Sequence, residues 1–212
     1  MNQSWGATRA SHQSGGDPPG IDNAPSTVKG VADAPVIIIT GPPGAGKTTV
    51  ARLVADRFDR AVCLETDWFW TTIVKGFLPP WQPDADSQNR AVVRSFAATA
   101  SAMAVGGYTV VLDGIVGPWY LDIVMDEFKS SGVTGHYFVL RPARHIALER
   151  ATSRTGDERV PGHPALTDEE PILHMWDQFG DVGQYEDQVI DNSDINPDEA
   201  ASLILNRVRF GT

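Results

Sequence analysis

The sequence predicts an α/β protein built on a mainly parallel sheet. From Pro35 onward, short β-branched runs alternate with longer helical segments, the pattern of successive βαβ units. Several of those runs are apolar on both faces, as in a sheet covered by helices on each side. The chain has 212 residues, enough for one full-size domain with a substantial core and few for two.

Strands are expected at 36–40, 61–66, 108–113, 136–140 and 188–190, and helices at 47–58, 88–105, 118–131, 143–154, 168–179 and 197–209. Two helix starts carry capping boxes, a hydroxyl or amide residue with a glutamate three positions on: Thr167 with Glu170, and Asn196 with Glu199, where Pro197 opens the helix. Residues 1–33 are rich in Gly, Ser, Pro, Asp, Asn and Gln, so ordering them would cost entropy without burying a core. They are expected to form a disordered tail in which Trp5 and Ile21 are isolated apolar residues, leaving 34–212 as the folded domain.

Bulk composition narrows the function classes. Hydrophobic residues make up 42% and charged residues 21%, ordinary for a soluble globular protein. The formal charge of −10, from 17 basic and 27 acidic residues, repels polyanions and argues against nucleic acid as a partner. Cys63 is the only cysteine, so no internal disulfide and no cysteine-based zinc site is expected. No apolar run approaches the ~20 residues that span a bilayer, and the N-terminus lacks the apolar core of a signal peptide. No membrane contact and a cytoplasmic location are therefore expected, while oligomeric state is unread.

The strongest chemical signal is Gly41-Pro42-Pro43-Gly44-Ala45-Gly46-Lys47-Thr48-Thr49, which satisfies GxxxxGK[ST] between an apolar run and an amphipathic helix. Glycines reach backbone angles closed to other residues, so successive N–H groups can turn inward around phosphate oxygens at the positive end of the helix. Lys47 then reaches the β- and γ-phosphates and the Thr48 hydroxyl meets magnesium, which favours one or two protein oxygens together with phosphates and waters. A chance match is expected in about one chain of this length in a hundred, before the flanking strand and helix are required.

A GTPase would need a guanine-reading Asn-Lys-x-Asp sequence, which is missing, and a ring-forming ATPase would normally carry a second helical domain. Together with LETDWFW, VVLDG and LERATSR leading into RTGDERVPG, the GPPGAGKTT loop makes residues 35–212 resemble a group of small-molecule kinases. The group includes gluconate-kinase-like, shikimate-kinase-like, chloramphenicol-phosphotransferase-like and zeta-toxin-like proteins of the P-loop NTPase fold, which resemble AAA family ATPases. The resemblance implies a five-stranded parallel sheet of order 2-3-1-4-5 between helices, with a lid and a substrate-binding insertion.

On the acceptor side, Asp67 follows the second strand, where ligands gather in open parallel sheets. In the similar kinases an aspartate at this place orients or deprotonates the acceptor hydroxyl, and Asp67 matches it; a helix cap is the plainer alternative. Glu65 is a reserve candidate on the same face if the strand continues. Asp113 ends VVLDG and resembles a Walker B carboxylate serving magnesium, with Gly114 letting the chain turn away; spacing alone allows the two aspartates to exchange roles. Residues 68–90 hold Trp68, Phe69, Trp70, Phe77, Pro79, Pro80, Trp81 and Arg90, a candidate substrate insertion whose aromatic faces suit a ring or sugar and whose arginine suits an acidic group. The same aromatics could equally seal a core beneath a long loop.

Arg150 and Arg154 lie four apart on one helix face, with Arg159 beyond, and are candidate cations for the nucleotide and the transferring phosphoryl; Arg141 is a weaker one. Among the similar kinases the turn that here reads Asp191-Asn192-Ser193-Asp194 lines the adenine, which brings Asn192 into the nucleotide site. His145, His163 and His174 lack metal spacing. The expected activity is ATP- and Mg²⁺-dependent phosphoryl transfer to a small-molecule hydroxyl. Two alternatives stay open: a nucleotide-dependent binding module or switch, and a toxin-like nucleotide-sugar kinase.

Overall fold

The computed structural model describes residues 34–153 and 168–210. The expected tail, Arg154, Arg159, His163 and Thr167 lie outside the described residues.

Five parallel strands form one sheet: β1 (Val36–Thr40), β2 (Ala61–Glu65), β3 (Thr109–Asp113), β4 (Gly135–Leu140) and β5 (Val189–Ile190). Their spatial order is β2-β3-β1-β4-β5, as the resemblance implied. β1 is central and wholly buried, which is why its VIIIT run is apolar on both faces. Its alternate residues feed two separate cores. Val36 and Ile38 pack with Val110, Leu112, Tyr137 and Val139 beneath α3 (Asp86–Val105) and α4 (Pro118–Ser130). Ile37 and Ile39 pack with Val111, Phe138 and Leu140 beneath α1 (Lys47–Ala55) and α7 (Pro197–Phe210). A one-residue slip of β1 would exchange the two cores, so register is strongly set.

The expected helices appear with shifted ends, α5 spanning Arg144–Thr152 and α6 Glu169–Gln178. The capping box at α7 is reciprocal: the Glu199 amide donates to Asn196 Oδ1 at 2.9 Å and the Asn196 amide to Glu199 Oε2 at 3.0 Å. The strand expected at 61–66 stops at Glu65, and a short helix, α2 (Asp67–Thr71), follows. Its DWFWT sequence is a weak helix former, and packing holds it: Phe69 and Trp70 join the core, with the Phe69 ring edge-on to Phe96 at 6.0 Å.

The thin β4–β5 edge is reinforced by Arg141. Its guanidinium pairs with both Glu186 carboxylate oxygens at 2.9 and 2.8 Å and donates to the carbonyls of Phe179 and Gly180. Those bonds hold the Glu186 carboxyl at about 2, well below its ordinary 4.5. A carboxylate depressed in the fold contributes stability above its unfolded pKa, and that contribution fades as pH falls toward the folded value. Thermal midpoints of the parent chain should therefore drop more steeply between about pH 4.5 and 2 than those of Glu186→Gln; parallel pH profiles for the two would remove this role.

Candidate active site

The phosphate loop leaves the carboxyl end of β1, at the point where the sheet order reverses between β3 and β4. Three of its glycines have positive φ: 143° at Gly41, 78° at Gly44 and 83° at Gly46. Two of them also have no room for a side chain. A Cβ on Gly41 would lie 2.1 Å from the Leu140 carbonyl oxygen, and one on Gly44 would lie 2.0 Å from that of Ala147. The loop is thus pressed against β4 and α5, with Pro42, Pro43 and Ala45 buried beneath it. Gly46 precedes the first turn of α1, where Lys47 and Thr48 are half-buried and Thr49 is exposed. The Lys47 ammonium donates to the carbonyls of Gly41 and Pro42, each at 3.1 Å, so it folds back over the loop.

Asp113 closes β3 directly beside β1, in register with Ile39 on one side and Glu65 on the other. It is 4% exposed, the Thr48 hydroxyl and the Lys47 ammonium lie close enough to favour its charge, and among the described residues its Oδ1 has no hydrogen-bond partner. Burial pushes its carboxyl above the ordinary range; Lys47 and Thr48 oppose the shift, and Asp67 and Glu65 add to it. A buried carboxylate with an unused oxygen beside a threonine hydroxyl fits a hard divalent cation. The chain after it is fixed: Thr40 Oγ1 accepts from the Val116 amide at 2.8 Å, and the Tyr137 hydroxyl donates to the Val116 carbonyl at 2.9 Å. Gly114 crosses Thr66 so closely that a Cβ would meet Thr66 Oγ1 at 1.7 Å.

Asp67 is exposed in the first turn of α2, one residue after Thr66, whose amide donates to the Asp113 carbonyl at 2.8 Å. That bond ties the start of α2 to the end of β3 and sets both aspartates at one rim. Because the strand does not continue, Glu65 does not share a face with Asp67 in the expected way; it accepts from Arg52 at 3.0 Å.

The 191–194 turn is latched to the loop. Asn192 is buried and donates its Nδ2 to the Ala45 carbonyl at 2.8 Å. Arg150 grips the same turn, its guanidinium donating to the Asn192 and Ser193 carbonyls at 3.2 to 3.3 Å. The expected nucleotide residues Arg150 and Asn192 therefore meet at one place, as a strut and a clasp. This backbone clasp was not visible in the sequence, since neither residue type signals a bond to a distant carbonyl. His145 and His174 are exposed.

A model of the AAA domain family matches residues 36–180. The chain belongs to that family. Its fold is also that of solved small-molecule P-loop kinases. This AAA domain is similar to the tunicamycin resistance protein of Deinococcus radiodurans, at 19% identity over 82% of this chain and 95% of that one, with a TM-score of 0.60. It is similar to the APS kinase of Mycobacterium tuberculosis in complex with AMPPNP and APS, at 16% identity over 84% and 98%, TM-score 0.61. Shikimate kinase of Acinetobacter baumannii, in complex with shikimate, aligns at 20% identity over 82% and 93%, TM-score 0.56. Among curated sequences, human threonine synthase-like 1 is 25% identical over 179 residues; the chain spans about a fifth of that relative's length. No helix among the described residues is long and apolar enough to cross a membrane.

Two substitutions probe this geometry. Asp113→Asn removes a charge that burial disfavours, so the ligand-free protein should melt at a higher temperature while the magnesium-dependent gain in nucleotide affinity disappears. A lower melting point would contradict the first half, and unchanged magnesium dependence the second. Asn192→Ala removes the clasp on Ala45 and should weaken ATP binding by about tenfold, the equivalent of one net hydrogen bond; calorimetry showing equal affinity would make the clasp irrelevant to the loop.

Proposed function

We propose that this chain transfers the γ-phosphoryl group of ATP, in the presence of Mg²⁺, to a hydroxyl of a small molecule. The observation that carries the reading is the meeting of four side chains at the carboxyl edge of the sheet: Lys47 over the loop, Thr48 beside buried Asp113, and exposed Asp67 close enough to perturb Asp113. The backbone amides from Gly44 to Thr48 bind the phosphates, and Lys47 exchanges its carbonyl partners for the β- and γ-phosphate oxygens. Thr48 and Asp113 would hold a magnesium ion, which would supply neutralisation of phosphate charge when bound.

Exposure favours Asp67 for the acceptor side, because an incoming alcohol can reach it whereas Asp113 is enclosed. Asp67 orients the hydroxyl and accepts its proton. The alcohol oxygen forms a bond to the γ-phosphorus as the bond to the β,γ-bridging oxygen breaks; ADP leaves, and the proton passes from Asp67 to water. Arg154, four residues beyond Arg150, is proposed as the cation that offsets charge on the transferring phosphoryl.

Incubation with Mg·ATP and a pooled metabolite library should give a product heavier by one phosphoryl, detected by mass spectrometry. Lys47→Ala should lower the rate by at least about 10²-fold and Asp67→Asn by about 10²- to 10⁴-fold. Tight ATP binding without any phosphorylated product would favour a nucleotide-controlled binding module, and full transfer by Asp67→Asn would remove that residue from the acceptor role.

A further inference from the structure

The segment from Trp68 to Ser95 contains a groove whose chemistry narrows the acceptor, an inference that rests on the phosphotransferase reading. The groove lies between α2 and the first half of α3, begins two residues past Asp67, and encloses about 210 Å³. Its apolar lining comes from Phe69, Ile73 and Val92, and among the described residues no charged side chain lines it. Its polar side chains are occupied by the protein itself. The Gln88 amide clasps both backbone groups of Leu78, at 2.8 and 2.7 Å. The Thr72 hydroxyl donates to the Phe69 carbonyl at 2.7 Å and that of Ser95 to the Ala91 carbonyl at 2.8 Å. Arg90, the residue expected to meet an acidic group, is paired with Asp86 at 2.9 Å.

Around the groove the same stretch exposes large apolar residues: Trp68 is 64% exposed, Val74 91% and Trp81 70%. The backbone leading to Trp81 is held in place, since Asn89 Nδ2 donates to the Pro80 carbonyl at 2.7 Å in addition to the Gln88 clasp on Leu78. A carboxylate or phosphate placed here would lose water and gain no cationic partner among the described residues. A cavity of about 150 Å³ suffices for benzene, so this volume accepts a ring with a short substituent.

We propose that this groove seats the uncharged, apolar ring of the acceptor, so that the substrate class is a neutral ring-bearing alcohol whose hydroxyl is presented toward Asp67. Saturation-transfer NMR without nucleotide tests the groove directly, with 2-phenylethanol as the neutral probe and gluconate as the anionic one. The parent protein should transfer saturation to 2-phenylethanol and not to gluconate. Ile73→Ala should weaken 2-phenylethanol binding several-fold, and Ser95→Arg, a change on the exposed rim that leaves the core intact, should make gluconate bind. With Mg·ATP present, the phosphorylated species from a library divided into neutral and anionic alcohols should come from the neutral half. Gluconate binding to the parent protein, indifference of 2-phenylethanol to both substitutions, or product drawn from the anionic half alone would each overturn the proposal. An ATP-binding failure would instead strike the phosphotransferase reading and leave the groove measurement standing.

Discussion

Everything at this site depends on backbone being allowed where a side chain would normally stand. Gly41 and Gly44 bring the phosphate loop within a Cβ's reach of two carbonyl oxygens, one closing β4 and one inside α5. The positive φ values and the missing Cβ atoms serve the same end: they let the loop curl tightly, the Ala45 amide donating to the Pro42 carbonyl, while resting on rigid elements. A loop held this way has little conformational freedom left to lose, which lowers the ordering cost of the phosphate binding proposed for it. Neighbouring features extend that rigidity outward. The Asn192 clasp fixes the far side of the loop, and Arg150 fixes the turn bearing Asn192.

Electrostatics divides the two aspartates where spacing could not. Both follow adjacent parallel strands, and in sequence each is an acidic residue after an apolar run. Packing separates them. Asp113 is enclosed between β1 and β2, with the Thr48 hydroxyl nearby and a cost for its charge that a cation would relieve. Asp67 is one residue beyond the Thr66 amide that bonds to the Asp113 carbonyl, and that single hydrogen bond starts a helix and turns the carboxylate into the open. The segments LETDWFW and VVLDG thus bring an exposed and an enclosed carboxylate to one rim, because β2 and β3 end in register at Glu65 and Asp113 and the Thr66 amide bonds across to the Asp113 carbonyl.

The sheet was legible because its signals are redundant. VIIIT and VVLD are apolar on both faces, and only a strand covered on both sides makes that pattern favourable. The loop was legible because its glycines answer a backbone requirement that few sequences meet. By contrast, α2 was hidden: five residues with three aromatics have no helical signature of their own, and the helix exists through the contact of Phe69 and Trp70 with the core that α3 shares. The roles of Arg141 and Arg150 were hidden for a related reason. Arginine in a kinase-like chain suggests phosphate, yet each of these guanidiniums bonds backbone carbonyls that sequence does not reveal as neighbours.

The insertion after β2 shows how a chain can be held without regular structure. Residues 72–82 form neither helix nor strand, and their order comes from side-chain amides that imitate a strand partner. Gln88 satisfies both the N–H and the C=O of Leu78, and Asn89 satisfies the carbonyl of Pro80, which as a proline has no N–H to offer. Because Gln88 bonds to backbone, the groove it lines presents polar atoms already engaged with the protein beside the apolar faces of Phe69, Ile73 and Val92. The same bonds that stiffen the segment therefore leave its inner surface uncharged, with the Gln88 amide serving both the backbone of the insertion and the wall of the groove.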